Sequence, residues 1–196
     1  MGFLSVLSMA HRWIAERTQP GDVVIDATAG NGVDTLALAQ LVGPRGTVYA
    51  FDVQQQALEA TEARLSALSA EDKLPSLRLL LHSHEEMDKL VDADHIGRAA
   101  AIMFNLGYLP GGDASLITQP SSTLAALDAA LAILRPGGIV TCVLYPGHPG
   151  GNEEAAAVEG WACSLPRVAG QAVVYRQLQR QTAPYLVAVE KKRQPD

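Results

Sequence analysis

The chain has 196 residues, 48% of them hydrophobic and 18% charged, which is typical of one globular domain over 1–196 and excludes disordered and collagen-like chains. The formal net charge of −6 argues against broad neutralisation of nucleic-acid phosphates and leaves room only for a small, local RNA contact. Two cysteines, Cys142 and Cys163, have neither disulfide-scaffold nor zinc-finger spacing, which fits a reducing cytoplasm. The opening residues lack a basic leader and a long apolar run, so we expect no export signal and no membrane span.

Helices and strands are predicted to alternate along the first half of the chain. Helical spacing of apolar residues predicts a helix over 4–17, before a first strand over 22–27. The same patterns predict helices over 33–42 and 54–69 and strands over 46–52, 76–82 and 98–107. Each crossover is long enough for parallel pairing of the strands that it joins.

The second half of the chain adds a further crossover and a hairpin. We predict a helix over 121–138, with a serine cap and a Pro-Gly stop, then a fifth strand over 138–147. A last helix begins near Asn152. Two β-rich runs, 171–178 and 185–192, have no helix-length crossover between them and therefore form an antiparallel hairpin. The fold class is α/β: a doubly wound, Rossmann-like sheet that is mostly parallel, with a C-terminal antiparallel hairpin.

A glycine-rich turn, DATAGNGVDT over 26–35, joins the first strand to its helix, where such sheets bind ligands. Gly30 and Gly32 let the backbone approach a ligand closely. Thr35 stands where a dinucleotide turn has its third glycine, and the carboxylate of Asp34 repels pyrophosphate. Since no Gly-Lys-Ser or Gly-Lys-Thr follows, a P-loop is excluded, and the ligand is not held by its phosphates.

A second acid, Asp52, closes the second strand. In a doubly wound sheet this position faces a ribose, whose two hydroxyls can donate to one carboxylate. Together, Asp26 and Asp52 suit a ligand with a cationic amino acid end and an unphosphorylated ribose, which describes S-adenosylmethionine better than NADP or ATP. Alternatively, Asp26 caps the turn and Asp52 starts the next helix.

Histidines follow the third strand. Ser83 and His84 are predicted to lie near the adenine end of such a ligand. His82 and His84 alternate along the chain and suggest a metal pair, but no third ligand has a recognisable spacing. We therefore predict a hydrogen-bonded histidine and no metal.

The segment FNLGYLPGGD, 104–113, follows the fourth strand and provides the predicted acceptor side. The amide oxygen of Asn105 and the carbonyl of Leu106 can accept hydrogen bonds from an incoming amine, which orients the nitrogen lone pair. Tyr108 can stack on a flat base, while Gly107 keeps the loop thin. Alternatively, the loop is only a turn with an asparagine cap.

A second loop, YPGHPGG over 145–151, is predicted to lie over the same edge of the sheet. Tyr145 supplies an aromatic ring, and His148 takes a proton from the acceptor, orients Asp113 or is simply solvated. Cys142 sits in an apolar strand and is predicted to be a core residue. This disfavours carbon methylation through a covalent thiolate adduct.

These motifs, with FDVQQQAL and HSHE, resemble the bacterial class I methyltransferase family of the YtqB or MnmM type, formerly described as rRNA methylases. The resemblance covers nearly the whole chain, and its two most specific motifs are FNLGYLPGGD and LYPGHPGG. It implies an S-adenosylmethionine-dependent enzyme that methylates the aminomethyl nitrogen of 5-aminomethyl-2-thiouridine at the tRNA wobble position. The implied partner is the anticodon region of tRNA.

The resemblance also implies roles for individual residues. The methionine end of the cofactor would be held by Asp26, Gly30, Asn31, Gly32 and Asp34. Further cofactor contacts would come from His11, Thr28, Thr35, Asp52, Val53, Ser83, His84 and Asn105. The modified base would be received by Asn105, Leu106, Gly107 and Tyr108, with Asp113, Tyr145 and His148 at the entrance. Of these, the implied catalytic residues are Asn105, Tyr108, Asp113 and His148.

Other functions remain open on the same fold. The enzyme alternatives are methylation of rRNA or a small amine, and a nicotinamide oxidoreductase, which Thr35 disfavours. A non-catalytic, cofactor-binding regulator is an alternative of another class. The terminal hairpin and the edge of a small sheet also suggest a homodimer.

Overall fold

A computed structural model describes residues 2–67, 74–107, 118–147, 150–180 and 182–192. Its strands are β1 Val23–Asp26, β2 Thr47–Asp52, β3 Ser76–Leu81, β4 Ala99–Leu106, β5 Leu134–Leu144, β6 Gly170–Tyr175 and β7 Tyr185–Lys191. Its α-helices are α1 Val6–Ala15, α2 Val33–Val42, α3 Gln55–Ser66, α4 Met87–Leu90, α5 Pro120–Ile133 and α6 Gly151–Ser164. Short 3₁₀ turns lie at Gly43–Arg45, His84–Glu86 and Ala93–His95. None of the helices in these ranges is both long and apolar enough to cross a membrane.

The strands form one sheet in the order β3-β2-β1-β4-β5-β7-β6. Neighbours from β3 to β5 pair in parallel, whereas β7 runs antiparallel to both β5 and β6. This arrangement confirms the predicted α/β sheet with its antiparallel C-terminal hairpin. The strand order reverses between β1 and β4, and ligands of doubly wound sheets bind in the crevice at that point.

The sheet has an apolar core on each face. Ile25, at the centre of β1, packs in one core with the helices α4, α5 and α6. Its neighbour Val24 packs in the other core with α1 and α2. Successive side chains of a strand point to opposite faces, and both faces of this strand are covered. The short apolar run of β1 therefore has no alternation of polar and apolar residues, as expected for a central parallel strand.

The predicted helix over 121–138 is wrong at both ends. The helix begins at Pro120, one residue earlier, and Gln119 is the N-cap without a side-chain capping bond. It ends at Ile133, because Leu134 already pairs with β4. The Pro-Gly segment lies inside β5, where the pairing register shifts and Gly137 adopts a φ of +80°. The Pro-Gly segment therefore forms an irregularity within β5 and does not end the preceding helix.

Four charged residues form ion pairs at the amino-terminal ends of the parallel strands, on the side of the sheet opposite the crevice. Arg135, at the start of β5, donates two hydrogen bonds to Asp22, of 2.7 and 3.0 Å. Arg17, after α1, donates to Glu190 near the end of β7, at 2.6 and 2.8 Å. A further bond of 2.8 Å runs from Arg135 to the carbonyl of Arg17. We call these residues the edge clamp; they hold α1, β1, β5 and β7 together.

Candidate active site

A cavity of about 760 Å³ opens at the carboxyl ends of the parallel strands, which is a typical size for a small-molecule site. The predicted site residues that line it are Thr28, Gly30, Asn31, Asp34, Asp52, Val53, Ser83, His84, Asn105, Gly107 and Tyr145. The structure therefore brings together residues from the turn after β1 and from the ends of β2, β3, β4 and β5.

Other predicted site residues lie beside or below the cavity. His11 stands on α1, does not line the cavity and contacts Asp34, which does. Thr35 is completely buried, as is the side chain of Leu106, which belongs to the apolar core. Three predicted residues, Tyr108, Asp113 and His148, lie outside the described residues.

The glycine turn between β1 and α2 adopts a conformation that requires glycine at two positions. Gly30 has a φ of +54° and Gly32 a φ of +74°. A Cβ atom added to Gly32 would lie 2.7 Å from the Cα atom of Thr61 on α3. The carbonyl of Asn31, between the two glycines, accepts a hydrogen bond of 2.6 Å from Arg64 on the same helix. The turn is therefore packed tightly against α3.

Asp52 is fixed at the end of β2 by two backbone groups. One carboxylate oxygen accepts a hydrogen bond from the Gly30 amide and the other from the Gln54 amide, each at 2.9 Å. A carboxylate oxygen can accept two hydrogen bonds, so each retains acceptor capacity toward the cavity. Asp52 can thus receive two ribose hydroxyls while it also holds the start of α3, and the two predictions for this residue are compatible.

Asp26 lies under the turn, does not line the cavity and is completely buried. It accepts hydrogen bonds from the Thr28 amide at 3.1 Å and the Thr35 hydroxyl at 2.6 Å. Burial, with smaller contributions from the charges of Asp34 and Asp52, raises the pKa of Asp26 to about 7. These contacts are those of a residue that caps the turn, which is the alternative role predicted for Asp26 from the sequence. A direct contact between Asp26 and the cofactor stays a prediction.

Asp34, in the first turn of α2, connects three elements. His11 donates to one of its oxygens over 2.6 Å, and the amide nitrogen of Asn105 lies 3.3 Å from the other. The hydrogen bond to Asp34 is the main cause that raises the pKa of His11, against the lowering effect of burial. Burial and the charge of Asp34 raise the pKa of Tyr145, whereas a hydrogen bond with Asn105 lowers it.

His84 lines the cavity and has one ring nitrogen without a hydrogen-bond partner among the described residues. Its Nδ1 lies 3.3 Å from the carbonyl of Ala27, and its ring packs edge-to-face on Phe104. Burial lowers the pKa of His84 and so favours the neutral ring; in that form Nδ1 is the nitrogen that can donate to the Ala27 carbonyl. Its Nε2 is buried and has no hydrogen-bond partner among the described residues. A buried acceptor without a partner fits a ligand that carries a donor, such as the amino group of adenine.

The described residues contain no group of three or more His, Cys, Asp or Glu side chains that could hold a metal ion. His82, the other member of the predicted pair, contacts Glu86, with 3.2 Å between its Nδ1 and the carboxylate. Cys142 is 1% exposed, and burial raises the pKa of its thiol. The prediction of a core cysteine is confirmed, and this thiol is no nucleophile.

Several polar lining residues were not predicted. Thr118 and Ser122 lie near the start of α5, Gln54 at the start of α3 and Thr182 between β6 and β7. The hydroxyl of Thr118 donates to the buried Glu154 at 2.7 Å. Thr and Ser near the start of a helix are common for reasons of capping, so these residue types carry no signal of a cavity. These residues reach the cavity through the strand order of the sheet, which no local pattern shows.

Comparison with known proteins assigns the chain to a family. Residues 48–190 match the model of the family described as "Putative rRNA methylase". The chain belongs to this family. It is 41% identical over 189 residues to a chloroplastic tRNA (mnm(5)s(2)U34)-methyltransferase of Arabidopsis thaliana, covering 94% of this chain and 68% of that protein.

Solved structures of similar proteins have the same fold. A crystal structure described as a "putative rRNA-methylase" from Clostridium thermocellum superposes with a TM-score of 0.89 at 36% identity, covering 97% of this chain and all of the other. A Streptococcus mutans protein described as "a putative methyltransferase", solved in complex with SAH, gives a TM-score of 0.84 at 34% identity, covering 97% of this chain and 99% of the other. The family and the fold confirm the predicted class I, S-adenosylmethionine-dependent methyltransferase. They do not favour the nicotinamide oxidoreductase.

Proposed function

We propose that this protein methylates RNA and that its acceptor is the aminomethyl nitrogen of 5-aminomethyl-2-thiouridine at the tRNA wobble position. The observation that carries the proposal is the position of Asn105: an amide, with Asp34 and Tyr145 around it, lines the cavity at the end of β4. An amide suits an amine acceptor, whereas carbon methylation by adduct needs an accessible thiolate, which Cys142 does not provide. The name of the Arabidopsis thaliana relative supports this acceptor.

The cofactor end of the cavity fits S-adenosylmethionine, which supplies a methyl group made electrophilic by the positively charged sulfur. Asp52 would accept the ribose hydroxyls, and Nε2 of His84 would accept from the adenine amino group. Asp34 would face the positively charged methionine end. The Gly30 amide already donates to Asp52, so this part of the turn would be positioned for the ribose.

The acceptor end would orient the amine and exclude water. An aminomethyl group is mostly protonated near neutral pH, so the site must bind its neutral form or accept a proton. Asn105 would align the nitrogen lone pair with the methyl group, and alignment of this kind supplies much of the rate. Proton transfer through Asp113 or His148, by way of water, stays a prediction, as does stacking of the base on Tyr108.

The direct test is mass spectrometry of wobble nucleosides from cells with and without the protein. Loss of the methylated nucleoside and accumulation of its aminomethyl precursor are expected. Purified protein should then methylate tRNA from the deficient cells. Transfer to rRNA or a small amine instead would overturn the tRNA assignment, and no transfer at all would favour a regulator. Binding to the anticodon region, the homodimer and a cytoplasmic location stay predictions.

Asn105→Ala tests the acceptor end separately. We expect turnover to fall about 100-fold, since misplacement of a reacting group by about 1 Å costs that much. Affinity for S-adenosylhomocysteine should change much less. Asn152→Ala, in an exposed position on α6, is the matched control and should leave both unchanged. Equal losses of turnover and affinity in Asn105→Ala, from single-turnover rates and calorimetry, would contradict the assigned role.

A further inference from the structure

Hydrogen bonds connect the outside of the molecule to the acceptor end of the cavity. His11 on α1 contacts one oxygen of Asp34 on α2, at 2.6 Å. The other oxygen of Asp34 lies 3.3 Å from the amide nitrogen of Asn105 on β4. The side chain of Asp34 is 8% exposed and that of His11 is 34% exposed. Of these three residues, Asp34 and Asn105 line the cavity, whereas His11 does not.

The chemistry of Asp34 determines which side of the Asn105 amide faces it. An ionised carboxylate accepts hydrogen bonds and has none to donate. The NH₂ group of Asn105 therefore faces Asp34, and the amide oxygen points away from it. A second contact restricts the residue further, because the backbone N–H of Asn105 donates to the hydroxyl of Thr28 at 2.8 Å.

This orientation matters for an amine acceptor. A primary amine whose lone pair attacks a methyl group has N–H bonds to donate, and an oxygen can receive one of them. If the amide were rotated by half a turn, its NH₂ group would meet those N–H bonds and repel the acceptor. The same rotation would place the amide oxygen against the carboxylate of Asp34, so Asp34 disfavours it.

His11 acts on the same bond from the other side. It donates to the oxygen of Asp34 that does not face Asn105, and this fixes the rotation of the carboxylate. The hydrogen bond and the charges of Asp34 and Asp26 raise the pKa of His11, so they favour a positively charged ring beside these acids. A charged His11 compensates the negative charge beside the cavity.

We propose that His11 and Asp34 are positioning residues for methyl transfer: they hold the Asn105 amide with its oxygen toward the acceptor amine. This inference rests on the proposed function, because it requires an acceptor that donates hydrogen bonds. His11 acts only through Asp34, whereas Asp34 also borders the cofactor end of the cavity.

A reciprocal exchange tests the orientation. Asp34→Asn allows the Asn105 amide to bond in either orientation, and Asn105→Asp places two carboxylates in contact. The double variant restores one carboxylate and one amide, and it again presents an oxygen to the acceptor. With saturating S-adenosylmethionine and undermodified tRNA, we expect each single variant to lose about tenfold or more in single-turnover rate, and the double variant to regain about tenfold over the slower single one. If the fold-loss in rate of the double variant equals the product of the two single fold-losses, the inference is overturned.

His11 provides a test in which direct contact with the cofactor is not altered. His11→Ala removes the donor to Asp34, whereas His11→Gln retains an N–H donor. We expect the alanine variant to lose about tenfold in single-turnover rate, the glutamine variant to recover most of it, and both to keep their affinity for S-adenosylhomocysteine within about twofold. Equal losses in the two variants, or a loss of affinity that matches the loss of rate, overturn the inference.

The wild-type enzyme separates this inference from the proposed function. No transfer by wild-type protein to undermodified tRNA refutes the proposed function, and the inference with it. Transfer by the wild-type protein without rescue in either variant series refutes the inference alone. Binding of S-adenosylhomocysteine shows which variants are folded, and the partly exposed His11 variants decide the outcome if Asn105→Asp does not fold.

Discussion

Gly32→Ala should destabilise the protein by more than the left-handed backbone at this position explains. Gly32 has a φ of +74°, and an alanine in this region costs about 1–2 kcal/mol. Its new Cβ atom would also lie 2.7 Å from the Cα and 3.0 Å from the Oγ1 of Thr61. Because the nearest of these atoms belongs to the backbone of α3, the helix itself must shift, and overpacking of this kind costs about 1–3 kcal/mol more. The expected total is about 2–5 kcal/mol.

Gly97→Ala is the matched control. Gly97 has a similar φ of +75°, but nothing lies within 4 Å of an added Cβ. Only the backbone cost applies there, so we expect a loss of about 1–2 kcal/mol. The difference between the two variants, about 1–3 kcal/mol, then measures the packing of the turn against α3.

Urea unfolding gives the assay. The free energy of unfolding and its slope with denaturant should be measured for both variants and the wild type, since equal slopes show that the midpoints report stability. Affinity for S-adenosylhomocysteine should fall in Gly32→Ala and not in Gly97→Ala, because the turn that contains Gly32 borders the cavity, whereas Gly97 does not line it. Equal destabilisation of the two variants would refute the reasoning from the Thr61 contact.

Three further predictions concern charged groups at the site. Burial raises the pKa of Asp26 to about 7 in the folded protein, from an ordinary value of 3.8 in the unfolded chain, so the free energy of unfolding should fall as the pH rises from about 4 to about 7. Urea unfolding across this pH range should show a flatter profile for Asp26→Asn than for the wild type. An unchanged profile in the variant would contradict the assignment. The pKa of His11, followed by NMR, should lie above its ordinary value of 6.5 and move down in Asp34→Asn; a value that does not move would show that another group raises it. Asp52→Asn leaves one acceptor oxygen for two backbone amides, so calorimetry should show about tenfold weaker binding of S-adenosylhomocysteine. Asp94→Asn, at an exposed position, is the control and should not change this affinity. Unchanged affinity in Asp52→Asn would contradict the assigned role.

Local patterns predict most of this fold because most strands contain a short apolar run between turn residues. The helix predicted over 33–42 has those bounds in the structure, since Gly32 and Gly43 flank it as caps. The helix predicted over 121–138 extends too far because an Arg-Pro-Gly-Gly sequence reads as a helix stop. Strand pairing from Leu134 onward overrides that local signal, and no local pattern reveals it.

The site is predictable where it depends on strand ends. Asp52 and Asn105 follow apolar runs, and the carboxyl ends of parallel strands meet at one edge. The contact between His11 and Asp34 is different, because it depends on how α1 packs across the sheet and links residues 23 apart in the chain. Sequence spacing gives no measure of that packing; only the resemblance to the family placed His11 near the cofactor.

The edge clamp has a practical consequence for measurements at different ionic strengths. Binding to nucleic acid weakens steeply as salt is added, because phosphate contacts release counterions. The Arg135–Asp22 pair, with side chains 33% and 15% exposed, lies at the sheet edge away from the cavity and is screened less than a fully exposed pair. A salt titration should therefore weaken phosphate contacts well before it loosens the sheet, because the partly buried pair is screened less.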